Sequence, residues 1–256
     1  MLAIRPRTLP AALLLQIAVN LANDYFDFKS GVDTAERLGP IRVTQSGLIA
    51  PETVRGAMLA TLAAAGLIGF YLMVVGGWPI VLIGAASVAG VLGYSGGPFP
   101  LASRGLGELC VFIFFGPVAV GGTYYVQAMG IGWQTLVMSV PPGLLIAAIL
   151  VVNNLRDIDT DRTAGKRTLA VMIGPSNTRL TYTLLVGLSY LVPLAAFLIG
   201  AYRAWILLPF LSLPLAWRGV KMIFIASGRD LNDGLGRTAM LALVFSLLLA
   251  AGLMVP

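Results

Sequence analysis

Apolar runs recur along the chain, separated by short polar breaks. Eight can be read, at about 8–23, 54–76, 79–95, 107–129, 134–154, 178–200, 203–222 and 237–255. They are apolar all round. They show neither the single stripe of a soluble amphipathic helix nor the period-two alternation of a barrel strand. The pattern predicts an all-α, polytopic transmembrane helical bundle. Several runs fall short of the roughly 20 residues that a straight span needs, a shortfall met by tilt or local bilayer thinning. Pro117, Pro141, Pro142, Pro193 and Pro214 lie inside the runs and predict kinks, which neighbouring helices tolerate.

Composition agrees with a membrane protein. Of 256 residues, 58% are hydrophobic and only 11% are charged, against roughly 25% charged in a soluble domain. Histidine is absent, which removes the commonest general base and the commonest transition-metal ligand. The one cysteine, Cys110, excludes an internal disulfide and lies among apolar residues, as a packing residue would. No small-residue cleavage site follows the first run, so no signal peptide is expected.

The net charge of +6 becomes informative once sorted by side. Alternating spans put the stretches near 24–53, 96–106, 155–178 and 218–237 on one face. These stretches and the helix ends beside them hold Lys29, Arg42, Arg55, Arg104, Arg156, Lys166, Arg167, Arg218 and Arg237, and every Asp and Glu of the chain. Arg203 falls on the other face, with Arg5 and Arg7 if eight spans are correct. Excess Lys and Arg marks the cytoplasmic side of a cell's inner membrane. The basic balance is therefore topological, and no aromatic-interleaved stripe suggests nucleic acid. Nine spans would move Arg5 and Arg7 inside, so either the first segment does not cross as drawn or a span is missing near residues 8–15.

The chemistry concentrates in two acidic clusters on that face. The first is "NDYFDFKSGVD", with Asn23, Asp24, Asp27 and Asp33. Asn23 and Asp27 are four apart and share a helix face, with Cβ atoms about 5–6 Å apart. Gly31 is expected to end the helix, so that Asp33 folds back from the loop. The second cluster, "NNLRDIDTDRTAGKRTLAV", begins at Asn153 and repeats the spacing with Asp157 and Asp161, Asp159 lying between. Like charges at this spacing weaken a bare helix, so a positive partner is expected. Oxygen-only ligands fit Mg²⁺, which takes carboxylates together with phosphate oxygens. Lys and Arg would meet the remaining phosphate charge. Two acidic rims above apolar helices describe a site for a lipid diphosphate, its head in water and its tail in the bundle.

These residues resemble the UbiA-type intramembrane aromatic prenyltransferases, whose first motif reads N-D-x-x-D followed by a further Asp and whose second has D-x-x-x-D spacing. The stretches "RPRTLPAA", "LQIAVNLANDYFDFKSGVDT", "RLGPIRVTQSGLI", "GYSGGPFPLASRGLGELCVFIFFGPVAV", "NNLRDIDTDRTAGKRTLAV" and "LNDGLGRTAM" are similar to the 1,4-dihydroxy-2-naphthoate prenyltransferases of menaquinone biosynthesis. The resemblance implies nine helices around a central cavity, Mg²⁺ as cofactor, and polyprenyl transfer to an aromatic acceptor with loss of CO₂. In the family a whole helix separates "RPRTLPAA" from "LQIAVNLANDY"; here a few residues do. Residues 1–256 are thus expected to form one prenyltransferase domain with a shortened first helix.

The expected metal ligands are Asn23, Asp24, Asp27, Asp33, Asp157 and Asp161. Asp27, Asp157, Asp161 and Lys166 are the expected catalytic set. Asn23, Lys29, Arg42, Tyr94, Asn154 and Arg167 are expected to bind substrate. Tyr25, Phe26 and Tyr94 are candidates to stabilise an allylic cation. Glu108 near a helix start is read as a dipole partner, and Asp230, Asn232 and Asp233 as a cytoplasmic turn, or else a lid over the diphosphate. Other acceptors, 4-hydroxybenzoate or homogentisate, stay open, as does oligomeric state. A transporter is the rival class, disfavoured because its ionisable groups would lie near the bilayer midplane rather than at helix ends.

Overall fold

The computed structural model describes residues 8–32 and 38–255; Asp33, Arg37, Arg5 and Arg7 lie outside the described residues. Helix α1 (Leu9–Lys29) runs unbroken into the first acidic motif, α2 (Pro51–Gly76) leads away, and α3 (Trp78–Ser95) returns. The next crossing joins α4 (Gly107–Ile113), a π-helical stretch (Phe114–Gly121) and α5 (Gly122–Ala128). Helix α6 (Trp133–Arg156) ends at the second motif, which forms the short α7 (Ile158–Thr163). Helix α8 (Leu169–Leu198), a 3-10 segment (Ala204–Ser212) leading into α9 (Leu213–Ile225), and α10 (Leu231–Met254) complete the bundle.

All eight expected segments are helical. Seven stretches among the described residues are long and apolar enough to cross a membrane. Helix α1 is not one of them, because Gln16, Asn20, Asn23 and Asp24 interrupt its apolar run. Outward side chains such as Leu67, Phe70, Leu198 and Ile225 are mostly exposed, an arrangement stable only against lipid. Trp78, Trp133 and Trp205 stand at the end opposite the acidic motifs, each more than half exposed, where a bilayer interface favours indole.

Small residues set the packing. Ala18 and Ala22 of α1 are fully buried and pack with Met58 of α2 and Val91 of α3. Gly116 meets Gly143 of α6 so closely that a Cβ on Gly143 would stand 2.9 Å from the Gly116 Cα. Close backbone approach of this kind is how membrane helices gain contact without a hydrophobic driving force. The second core forms where α6, α8, α9 and α10 enclose Leu145, Val152, Tyr182, Ile223 and Phe245. There the Tyr182 hydroxyl shares a 3.0 Å hydrogen bond with Thr238.

Pro117 sits inside the π-helical stretch, which relieves the clash of its ring with the preceding turn. Pro141 and Pro142, however, lie within a continuous α6. The break in α8 falls instead at Gly174, with φ +79°. That conformation suits glycine alone, and the following Pro175 disfavours helix at the residue before it. Helix α8 therefore begins well before the expected residue 178, at Leu169, where the Thr168 hydroxyl accepts from the Val171 amide.

Candidate active site

Helices α1, α3 and α6 end on one face of the bundle, where α7 follows α6. The cavity between them measures about 120 Å³. Its wall carries Asn23 and Asp27 from the first motif, Asp157 and Asp161 from the second, and Arg42 and Lys166 from the loops that follow each. Two clusters separated by more than a hundred residues thus share one cavity. This pocket has room for a polar head group and is smaller than the roughly 300–1,000 Å³ of pockets that enclose drug-sized ligands.

Charge pairs cross between the motifs. Lys166 Nζ donates to Asp27 Oδ2 at 3.2 Å, and Arg42 Nη2 lies 4.0 Å from the same oxygen. For Asp27 the expected positive partner thus comes from the other motif's loop as Lys166, with Arg42 of its own motif's loop beside it. Lys166 reaches in because its amide donates to the Asp161 carbonyl at 2.9 Å, closing the turn after α7 around Gly165, whose φ is +77°. Asn23 is oriented by Ser95, whose hydroxyl donates to its Oδ1 at 2.7 Å, tying α1 to α3.

The remaining expected site residues divide. Tyr94 and Asn154 line the cavity. Asn154 donates from Nδ2 to Glu108 Oε1 at 2.8 Å, so the buried Glu108 orients that amide instead of serving only the helix dipole. Asp24 is buried outside the cavity wall, and its Oδ1 accepts the Thr44 amide at 3.4 Å. Lys29 is exposed, 5.9 Å from the centre of the Tyr25 ring. Arg167 is exposed as well, and its backbone amide donates to the Ser103 carbonyl. Tyr25 and Phe26 pack edge to face on each other away from the cavity wall. Asp159 faces solvent and pairs with Arg162.

Thr160, Thr168 and Ser95 also line the cavity and were not singled out from the sequence; Asn153, named there only as the start of the second cluster, lines it too. The spacing could have revealed Asn153, since it precedes Asp157 by one helical turn, as Asn23 precedes Asp27. Arg156 was read as a topological charge; its side chain is almost fully buried and grips Asp157.

Residues 6–233 match the model of the UbiA prenyltransferase family. The chain belongs to the UbiA prenyltransferase family. It is a prenyltransferase of that family. A 1,4-dihydroxy-2-naphthoate octaprenyltransferase of Mycobacterium tuberculosis (strain ATCC 25618 / H37Rv) is 39% identical over 246 residues, covering 96% of this chain and 83% of the relative. The Bacillus subtilis (strain 168) protein of the same description is 33% identical, covering 96% and 79%. Among solved structures, a UbiA homolog from Archaeoglobus fulgidus bound to DMAPP and Mg²⁺ has the same fold, with a TM-score of 0.58 at 14% identity over 94% of this chain and 88% of that one.

Proposed function

We propose that this chain transfers a polyprenyl group from polyprenyl diphosphate to 1,4-dihydroxy-2-naphthoate, with loss of the ring carboxyl group as CO₂ and of diphosphate, to give demethylmenaquinol, the reduced form of demethylmenaquinone. The observation that carries the reading is the shared cavity, in which carboxylates of both motifs stand beside Arg42 and Lys166. The choice of acceptor rests on the octaprenyltransferase relatives and on the stretches quoted above. Residues 1–256 act as one domain in this reading. The excess of Lys and Arg on the loops bearing the motifs supports a cytoplasmic orientation in the inner membrane.

The donor set fits Mg²⁺. Asp27, Asp157, Asp161 and Asn23 offer hard oxygen ligands, without sulfur or imidazole. Among the described residues no three acidic side chains converge on a single point. An ion here would be held by carboxylate oxygens of these residues together with oxygens of the diphosphate. When bound, Mg²⁺ neutralises charge on the diphosphate leaving group.

The chain's own residues do the rest. Lys166 and Arg42 exchange Asp27 for phosphate oxygens and hold the leaving group as its C1–O bond breaks. Tyr94 presents a cavity-lining ring to the positive charge growing on the allylic carbon. The electron-rich naphthoate ring then forms the new C–C bond. The electron pair of the bond to the carboxylate returns to the ring as CO₂ leaves, so aromaticity is restored without a strong general base. A chain lacking histidine suits that chemistry.

The test is to incubate membranes containing the chain with Mg²⁺, a polyprenyl diphosphate and a panel of aromatic acceptors, and to weigh the products. The expected result is prenylation of dihydroxynaphthoate with loss of one CO₂. Prenylated 4-hydroxybenzoate or homogentisate, with dihydroxynaphthoate untouched, would overturn the acceptor assignment.

A further inference from the structure

Arg156 and the "LND" stretch opening α10 have no part in the chemistry above, yet they meet. Arg156 is 3% exposed. Its Nε and Nη2 donate to the two carboxylate oxygens of Asp157 at 2.8 and 2.6 Å. Nη2 also donates to Asn153 Oδ1 at 2.8 Å, and Nη1 donates to Asn232 Oδ1 at 2.8 Å. Asn232 passes the connection on, donating from Nδ2 to the Leu38 carbonyl at 3.3 Å. The guanidinium also lies against Gly39, where a Cβ would stand only 2.7 Å from Nη2.

Only a planar fork serves all these acceptors at once. An ammonium is a compact point charge and cannot pair with both carboxylate oxygens while reaching Asn232. The fork fixes Asp157 from behind the cavity wall. Through Asn232 it also ties down the 38–40 segment, which continues directly into Arg42, a cavity residue, and Thr44, whose amide is held by Asp24. A chain this short transmits restraint: holding Leu38 restricts where Arg42 can stand.

We propose that Arg156 and Asn232 form a latch. They are positioning residues that set the Asp157 carboxylate and hold the 38–44 segment, with Arg42, over the diphosphate end of the cavity. The ligand in this statement rests on the proposed function, whereas the latch itself rests on the hydrogen bonds alone. Asn232 is exposed, so Asn232→Ala opens the latch without emptying the core.

The experiment compares the wild type with Asn232→Ala and Arg156→Lys in lipid nanodiscs. Hydrogen exchange of the Thr44, Ser46 and Gly47 amides is measured without ligand. Both KM values and kcat are then measured with Mg²⁺. In Asn232→Ala, exchange at these amides is expected to rise roughly tenfold, and the KM for polyprenyl diphosphate by a similar factor. The acceptor KM is expected to stay unchanged. Arg156→Lys should lose at least as much, despite keeping the charge. Unchanged exchange in Asn232→Ala overturns the latch. Faster exchange with an unchanged diphosphate KM, or both KM values rising together, overturns its positioning role. Wild-type behaviour of Arg156→Lys overturns the requirement for the fork. A wild type that consumes no polyprenyl diphosphate defeats the proposed function, while the exchange measurement still decides the latch.

Discussion

Replacing Asp27 by alanine should separate binding of the diphosphate from its activation. Asp27 Oδ2 stands 3.2 Å from Lys166 and 4.0 Å from Arg42, and the three side chains are between 11% and 20% exposed. At an effective dielectric near 20, each attraction amounts to about 4–5 kcal/mol before desolvation is subtracted. Removing one partner from a buried pair costs about 3–5 kcal/mol, and the residual solvent contact here favours the lower end. Asp27→Ala therefore destabilises the ligand-free protein by roughly 3 kcal/mol. It also removes the carboxylate that competes with a diphosphate for Lys166. Inorganic pyrophosphate without Mg²⁺ should then protect the variant against heat more than it protects the wild type. Turnover should move the other way. Loss of one preorganised contact to charge developing in the transition state costs about 10²–10³ in kcat. The assays are prenyl transfer across a Mg²⁺ titration and thermal unfolding in detergent with and without pyrophosphate. Near-wild-type kcat at saturating Mg²⁺, or equal pyrophosphate protection of both proteins, would refute the reasoning.

Three further outcomes are expected. Asp157→Ala should lower thermal stability more than Asp157→Asn, because alanine leaves the buried Arg156 guanidinium without its bidentate partner, a loss of about 3–5 kcal/mol where a buried pair is broken; scanning calorimetry or a thermal-shift assay reads the order. Chelation of divalent ions should abolish turnover, and Mg²⁺ should restore it better than Ca²⁺, since octahedral coordination with phosphate oxygens favours the smaller ion. A cysteine placed at exposed Asp159 in a Cys110→Ser background should react with a membrane-impermeant maleimide in inverted vesicles and not in spheroplasts; the reverse labelling would overturn the cytoplasmic orientation.

Much of the site was legible in the primary structure because helical spacing is local. Asn23 and Asp27 share a face whatever the helix packs against, and so do Asn153 and Asp157. Both Asn23 and Asp27 do line the cavity, alongside Asp157, Asp161, Lys166, Arg42, Tyr94 and Asn154. Spacing says nothing of how a helix is rotated about its own axis. Asp24 lies one residue from Asn23 yet turns to the Thr44 amide, and Lys29 and Arg167 point to the surface. For Asp24 and Lys29 the direction follows from which face of α1 carries Ala18 and Ala22 into contact with α2 and α3, and that is a matter of packing.

The sequence by itself determined the bilayer as solvent, the helical class, the eight segments and the gathering of acids on one side. Hydrophobicity and charge act residue by residue, so they need no knowledge of neighbours. The tertiary structure decided the partnerships: Lys166 with Asp27, Arg156 with Asn232, Glu108 with Asn154. Each joins residues far apart in the chain. Which polar groups meet depends on how closely the helices approach, and contacts such as Gly116 against Gly143 set that distance.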